Sequence, residues 1–174
     1  MVQALGAERG FRVDVVPPVL GPDGRAISST SIRRAIAGGD LDRAAGGLGR
    51  PYSLSGIVME GARRGRDLGF RTINLSMPPA RKLLPPDGVY AVRACTPEGT
   101  FGGMMNLGAR PTFDDALRTL EAHLFGVRSD LYGRRVRIDL IRLLREIRKF
   151  ENADALVAQL RRDEMAARAA LSGS

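Results

Sequence analysis

From Pro51 onward, short runs typical of β-strands recur along the chain, and glycine and proline separate one run from the next. The runs cover residues 53–59, 88–95, 101–107, 119–125 and 135–144. This spacing is typical of an antiparallel barrel or sandwich and disfavours alternating βαβ units. In the last run, Val136, Ile138 and Leu140, with Arg142 as a further candidate, alternate with the other residues, which indicates a strand with one buried face. The sequence therefore predicts a mainly β fold.

A helix is predicted after these runs, over residues 153–171. Its apolar positions fall on one stripe and its charged residues lie around the rest of the surface, as expected of an amphipathic helix. The stripe consists of Leu156, Leu160, Ala167 and Leu171.

The first 50 residues have a different texture, that of the end of an α/β unit. A short strand is expected over residues 11–16 because valines alternate there before Pro17. Hydroxyl side chains at 28–30 are suited to cap a short helix, and Asp40 is suited to cap a second one that runs to Ala45 and stops at Gly46. We therefore expect two units, residues 1–50 and residues 51–174.

The charge of the chain is strongly positive, with a net charge of +8 over 174 residues. Arginine supplies 25 of the 27 basic side chains, and its forked guanidinium suits phosphate and carboxylate groups. A phosphate-bearing partner is one interpretation, and solvated charges that reflect a compositional bias are the alternative. The net positive charge by itself excludes only one class of protein, a strongly acidic protein that mimics such a phosphate-bearing partner.

Location is addressed by three further observations. No apolar run approaches the length of a membrane span, and the first ten residues lack the pattern of a secretory signal. A single cysteine, Cys95, excludes a disulfide within the chain. We therefore expect a cytoplasmic protein with no membrane partner.

Residues 61–74 carry the densest group of candidate binding residues. The glycines would let backbone N–H groups approach an anion closely, and the arginines would neutralise phosphate charge. The candidates are Gly61, Arg64, Gly65, Arg66 and Gly69. Taken alone, the segment is somewhat better explained as a basic turn between two strands with a polar edge.

Two polar residues close this segment. Thr72 and Asn74 are two positions apart and would project to the same side of an extended chain. Both offer neutral oxygen atoms, which suit a hard cation such as Mg²⁺ that also binds phosphate.

The run 119–125 contains the candidate catalytic residue. Leu120, Ala122 and Leu124 are expected to face the core, which places Glu121 and His123 on the opposite face. A carboxylate there could accept a proton from a hydroxyl group, although a solvated glutamate is the commoner case. His123 is the only histidine, so we expect a hydrogen-bonded structural side chain and not a metal ligand.

Residues 103–113 form a further polar group. Gly108 and Pro111 are expected to fix a turn, with Asn106 and Arg110 beside it. The alternative is a simple exit from a strand.

Together these segments resemble the riboflavin kinase module of bacterial bifunctional riboflavin kinase/FAD synthetases. The resemblance is carried by six segments in order: 61–74 (GARRGRDLGFRTIN), 84–92 (LPPDGVYAV), 106–113 (NLGARPTF), 121–124 (EAHL), 130–133 (DLYG) and 145–150 (REIRKF). Residues 27–33 (ISSTSIR) resemble a late motif of the adenylyltransferase module. This resemblance implies that residues 1–50 are a truncated remnant of that module.

The resemblance implies a six-stranded antiparallel Greek-key barrel with a C-terminal helix, and an ATP-dependent kinase that converts riboflavin to FMN. By position, the loop 61–69 would bind ATP, while Thr72 and Asn74 would bind Mg²⁺ and phosphate. Glu121 would be the general base, and Asn106, Arg110 and Arg145 would contribute to the flavin site. Adenylyltransferase activity is expected to be missing, so FMN and ATP should give no FAD.

Two departures from the family pattern bear on these expectations. Arg71 stands where the family has proline, which leaves the backbone before Thr72 freer. Ser31 replaces an arginine in the adenylyltransferase motif. The alternative function is a non-catalytic remnant that binds flavin or nucleotide. Nucleic acid is disfavoured as a partner because aromatic residues are only 5% and tryptophan is missing. The sequence makes no prediction about oligomeric state.

Overall fold

Six antiparallel strands close into a barrel. In chain order the elements are α1 (Val2–Arg9), α2 (Ser29–Ala37), α3 (Leu41–Leu48), β1 (Tyr52–Met59), β2 (Ile73–Leu75), β3 (Gly88–Thr96), β4 (Gly99–Ala109), β5 (Arg118–Leu124), β6 (Arg135–Arg145) and α4 (Ala153–Ser172). Around the barrel the strands follow the order β1-β2-β5-β4-β3-β6. The computed structural model describes residues 2–21, 24–60, 69–109, 118–127 and 129–173. The predicted antiparallel barrel with a C-terminal helix is confirmed.

The interior of the barrel is filled by the alternate residues of each strand. Val136, Ile138 and Leu140 of β6 are fully or almost fully buried, and so are Leu120 and Ala122 of β5. This alternation confirms the faces predicted for both strands, because successive side chains of a strand point to opposite sides.

A second apolar layer lies outside the barrel, beneath α4. The helix packs against β3, β4 and β6. Ala167 and Ala170 of α4 meet Ala91 of β3 and Met104 of β4 in a separate cluster. Ala91 and Met104 face outward and are buried beneath the helix, so the helix is an integral wall of the domain.

The pairing of β3 with β6 contains two register shifts. At these shifts the regular alternation of buried and outward-facing side chains in β6 ends. The shifts fall between Ala91 and Val92 and between Val89 and Tyr90. A β-bulge reverses which face the next side chain meets. As a result Leu143 packs against the inner core, whereas Arg142 is exposed and does not continue the buried series.

The N-terminal segment confirms the two predicted helices and corrects two other expectations. Ser28 caps α2 as expected, and Asp40 caps α3 through its side chain. α3 continues past Gly46 to Leu48 and ends at Gly49, whose φ of 69° suits a left-handed cap. The strand expected over 11–16 does not form, because no neighbouring strand pairs with it, and an unforeseen α1 precedes it.

Helices α2 and α3 share the barrel's core. Ile36, Leu41 and Ala44 belong to the same buried cluster as the inner residues of the strands. The division into residues 1–50 and 51–174 stays a prediction. Among the described residues, no helix combines the length and the apolar character needed to cross a membrane.

We expect the stability of the fold to fall at alkaline pH because of Tyr90. Its ring is fully buried and its hydroxyl donates to the Pro86 carbonyl. Burial, reinforced by the Asp87 carboxylate and opposed by Arg118, raises the pKa of Tyr90 to about 12. A tyrosine of the unfolded chain ionises near 10. The stabilisation by neutral Tyr90 is therefore complete below pH 10 and is lost as pH rises towards 12.

Tyr90→Phe should lower the free energy of unfolding at pH 8 by about 1–2 kcal/mol, because the Pro86 carbonyl loses its donor. The gap between the two proteins should narrow at pH 11, as measured by urea unfolding. The exposed Tyr132 provides the matched control. Tyr132→Phe should leave the free energy of unfolding unchanged at both pH 8 and pH 11. A gap that stays constant between pH 8 and pH 11 would contradict the assigned environment of Tyr90.

Candidate active site

Strand register places four polar residues in one row around the outside of the barrel. Asn74 of β2 pairs with Glu121 of β5, and Glu121 pairs with Asn106 of β4. Asn106 pairs with Val89 of β3, which pairs with Arg145 of β6. Directly opposed residues of antiparallel strands project to the same face. Glu121 therefore stands between two amide side chains, and Arg145 lies three strands away.

A cavity of 530 Å³ lies over this row, between the outer face of the barrel, residues 147–150 and the first half of α4. Glu121 is the only carboxylate among the described residues that line it. Its apolar lining comes from Phe70, Val89, Met104, Met105, Ile147, Phe150, Ala153, Leu156 and Leu160. A mostly apolar cleft with a few convergent polar groups is the usual form of a small-molecule site.

His123 connects this cavity to the segment before β2. Its Nδ1 lies 2.7 Å from the Arg71 carbonyl oxygen. Because a carbonyl oxygen can only accept, Nδ1 carries the proton and donates it. The imidazole also makes edge contacts with Phe70 and Phe125, with ring centroids 5.3 and 5.8 Å away. These contacts hold the backbone immediately before Thr72, which lines the same cavity.

An ion pair joins α4, which forms the wall of the cavity opposite the barrel, to strand β6. The Arg145 Nη2 atom lies 2.8 Å from Oδ2 of Asp163, and the two side chains are 18% and 4% exposed. The Arg145 guanidinium also stands 5.6 Å from the centre of the Phe150 ring. The Asn152 side chain caps α4 by accepting from the Ala155 N–H. The helix is thus fixed at its start by the Asn152 cap and near its middle by the ion pair of Asp163.

The structure brings together most of the predicted site residues that it describes. Thr72, Asn106, Glu121 and Arg145 line the cavity, and Asn74 shares their row. Gly69 is exposed with a φ of 81° and does not line the cavity. The remaining predicted residues, Gly61, Arg64, Gly65, Arg66 and Arg110, lie outside the described residues, so their roles stay predictions.

The turn expected at Gly108 is wrong. Gly108 lies inside β4, where β-pairing continues to Ala109. Glycine suits that position for a different reason, since its φ of 153° is one that other residues rarely adopt, and a Cβ atom would also crowd the side chains of Ile147 and Asp87.

Sequence reasoning missed Asp163. A signal was present, because Asp163 falls on the stripe of α4, three residues after Leu160 and four before Ala167. A charged residue at such a position is buried only when it is paired.

A wider groove of 860 Å³ lies between α2 and residues 80–84. Several basic side chains line it, among them Arg33, Arg34 and Lys82. Burial lowers the pKa of Lys82, and nearby Arg50 lowers it further. No described residue that lines this groove offers a carboxylate, so it lacks the proton acceptor present in the first cavity.

Comparison with known proteins identifies the family. The riboflavin kinase family model (Flavokinase) matches residues 48–171. The chain belongs to the riboflavin kinase family. This span covers the whole barrel and nearly all of α4, which together form the cavity.

Curated relatives carry the name bifunctional riboflavin kinase/FMN adenylyltransferase. The protein of Escherichia coli K12 is 38% identical over 97% of this chain and 53% of its own length. The protein of Bacillus subtilis is 36% identical over 82% of this chain and 46% of its own length. The chain therefore spans about half the length of the curated relatives it matches.

The fold resembles those of solved structures. A Streptococcus pneumoniae structure titled as a macrolide-efflux protein aligns with a TM-score of 0.84 and 36% identity, over 95% of this chain and 54% of that one. Riboflavin kinase from Trypanosoma brucei aligns with a TM-score of 0.50 and 20% identity, over 70% and 80% of the two chains. The second likeness supports the barrel fold alone.

We expect His123 to stabilise the fold in two separable ways, through its Nδ1–H donor and through its ring contacts. Asparagine places a donor near the Nδ1 position, whereas phenylalanine keeps a ring. His123→Ala should lower the free energy of unfolding by roughly 2 kcal/mol, the sum of one hydrogen bond and the aromatic contacts. His123→Asn and His123→Phe should each lose about half of that. Urea unfolding at pH 8 gives the free energy of unfolding of the unaltered chain and of the three variants. Equal losses in the three variants would contradict separate contributions from the Nδ1–H donor and the ring contacts.

Proposed function

We propose that the chain transfers the γ-phosphoryl group of ATP to the 5′-hydroxyl of riboflavin, giving FMN and ADP. The observation that carries this proposal is the position of Glu121, the only carboxylate among the described lining residues, between Asn74 and Asn106. Membership of the riboflavin kinase family supports the same reaction.

The dimensions of the row suit the acceptor. Neighbouring strands are about 4.8 Å apart, so the three steps from Glu121 to Arg145 span about 14 Å. A fused three-ring system with a five-carbon side chain can lie along this distance. The ribityl chain would then reach Glu121, and the apolar ring would lie among the apolar side chains near Phe150.

Glu121 would act on the attacking hydroxyl. As the 5′-oxygen forms its bond to the γ-phosphorus, the bond from that phosphorus to the bridging oxygen breaks and ADP leaves with the electron pair. The hydroxyl proton passes to the Glu121 carboxylate. A positioned base contributes about 10²- to 10⁴-fold to such a step, and the rest comes from positioning and charge neutralisation.

Thr72 and Asn74 would hold Mg²⁺. A hydroxyl and an amide oxygen are hard, neutral ligands, and Asn74 stands directly opposite Glu121. Such a pair leaves most of the octahedral positions to water and phosphate oxygens, which fits the preference of Mg²⁺. When bound, the ion would neutralise charge on the phosphates of ATP. The loop 61–69 would cover those phosphates.

The partners in this proposal are two small molecules, ATP and riboflavin. A cytoplasmic setting suits a reaction that consumes ATP, and the single cysteine is compatible with a reducing compartment.

The proposed reaction is tested by incubating the protein with riboflavin, ATP and Mg²⁺ and separating the flavins by chromatography. FMN should accumulate, and a chelator should stop its formation. A folded protein that binds riboflavin and forms no FMN would overturn the proposal and would favour a non-catalytic flavin-binding module.

Glu121→Gln should lower the rate of FMN formation by about 10²- to 10⁴-fold, because the amide cannot accept the proton. Binding of ATP and riboflavin should change little, as measured by calorimetry. The exposed Glu151 offers a matched control, and Glu151→Gln should keep the original rate. Unchanged turnover in Glu121→Gln, or loss of ATP binding, would contradict the role of Glu121.

A further inference from the structure

One charged side chain is buried in the part of the chain that the structure describes, and it belongs to the helix that covers the cavity. Asp163 of α4 is 3% exposed. It lies on the same face of α4 as Leu160 and Ala167, which pack against the barrel. A carboxylate on this face needs partners, because an unpaired buried charge is strongly unfavourable.

Asp163 has a full set of partners, and the main one is Arg145. The Arg145 Nε donates to both carboxylate oxygens at 3.0 and 3.1 Å, and Nη2 donates to Oδ2 at 2.8 Å. Gln159 Nε2 donates to Oδ1 at 2.7 Å. The Arg145 Nη1 donates to the Glu146 carbonyl at 3.0 Å. The guanidinium plane is therefore fixed from two sides.

The same carboxylate indirectly orients a second guanidinium. Gln159, held by Asp163, accepts from Arg148 through its Oε1 atom. The Arg145 and Arg148 guanidinium groups lie 5.6 and 5.0 Å from the centre of the Phe150 ring. Arg145, Arg148 and Phe150 all line the cavity.

Stability alone is a weak reason for such a pair. Replacing a buried ion pair by apolar side chains of similar volume is often neutral or stabilising, since desolvation of both charges offsets their attraction. A guanidinium has five N–H donors in a rigid fork, and the contacts above use three of its nitrogens while leaving N–H groups on Nη1 and Nη2. A held guanidinium in a cavity wall is suited to donate to a bound acceptor.

We propose that Asp163 is a positioning residue that holds Arg145 so that its remaining N–H groups donate to the carbonyl oxygens of the bound flavin ring. This end of the cavity lies about 14 Å from Glu121, across three strands. The inference rests on the proposed function, because it takes riboflavin as the ligand. Asp163 itself touches neither substrate.

The test compares riboflavin affinity, without ATP, in the unaltered chain and in Asp163→Asn, by quenching of flavin fluorescence. Loss of a charge-assisted hydrogen bond to the ring should weaken riboflavin binding by roughly tenfold to hundredfold. The affinity for ATP should stay within about twofold, and kcat at saturating riboflavin should fall much less than kcat/KM.

A double-mutant cycle separates positioning from a purely structural role. If Asp163 acts through Arg145, Asp163→Asn should cause no further loss of riboflavin affinity once Arg145→Ala is present. Additive losses would overturn the proposal. Glu164→Gln is the control, because Glu164 neighbours Asp163 and pairs with Arg168 at a more exposed site; it should bind riboflavin like the unaltered chain.

A milder variant covers the case in which Asp163→Asn does not fold. Gln159→Leu removes one neutral donor from the same carboxylate and leaves Arg145 in place, so it should weaken riboflavin binding by about threefold to tenfold. Unchanged affinity in a folded Asp163→Asn or Gln159→Leu protein would overturn the positioning role alone. Failure of the unaltered chain to bind riboflavin would overturn the proposed function and this inference with it.

Discussion

Closure of the barrel is the constraint on which the candidate site depends. Six strands that pair in a ring have little freedom of register, because a slip of one residue would turn the buried side chains of the shifted strand outward. The core residues that set this register also place Asn74, Glu121, Asn106 and Arg145 in one row on the outer face. The site is therefore a by-product of core packing, which fixes the spacing of its polar groups.

The helix α4 turns this row into a cavity. Its apolar side chains cover the outward-facing Ala91 and Met104, and its buried Asp163 pairs with Arg145 of β6. One face of the helix thus combines the two requirements of a ligand site, an apolar wall and fixed hydrogen-bond donors. The short β2 strand contributes from the opposite side, where His123 holds the Arg71 carbonyl and with it the approach to Thr72.

The resemblance to the kinase family implied the closed six-stranded barrel. The sequence pattern itself predicted an antiparallel barrel or sandwich, because strands with one buried face show a period of two in residues such as Leu120, Ala122 and Leu124. It also predicted that Glu121 faces outward. The local sequence pattern could not reveal the bulges of β6, because these depend on its pairing with β3. It also could not reveal that residues 11–16 lack a partner strand. Asp163 was not predicted because its partner in the ion pair, Arg145, lies 18 positions earlier in the chain, and only packing brings the two side chains together.

The central claim is that riboflavin lies along the row, with its ribityl chain at Glu121 and its ring beside Arg145 and Phe150. A crystal structure of the chain with riboflavin, ADP and Mg²⁺ tests this most directly. The account predicts flavin density in the cavity beneath α4, with the 5′-hydroxyl within hydrogen-bond distance of the Glu121 carboxylate. Flavin bound in the basic groove beside α2, or in the cavity with its ribityl chain directed towards Arg145, would contradict it.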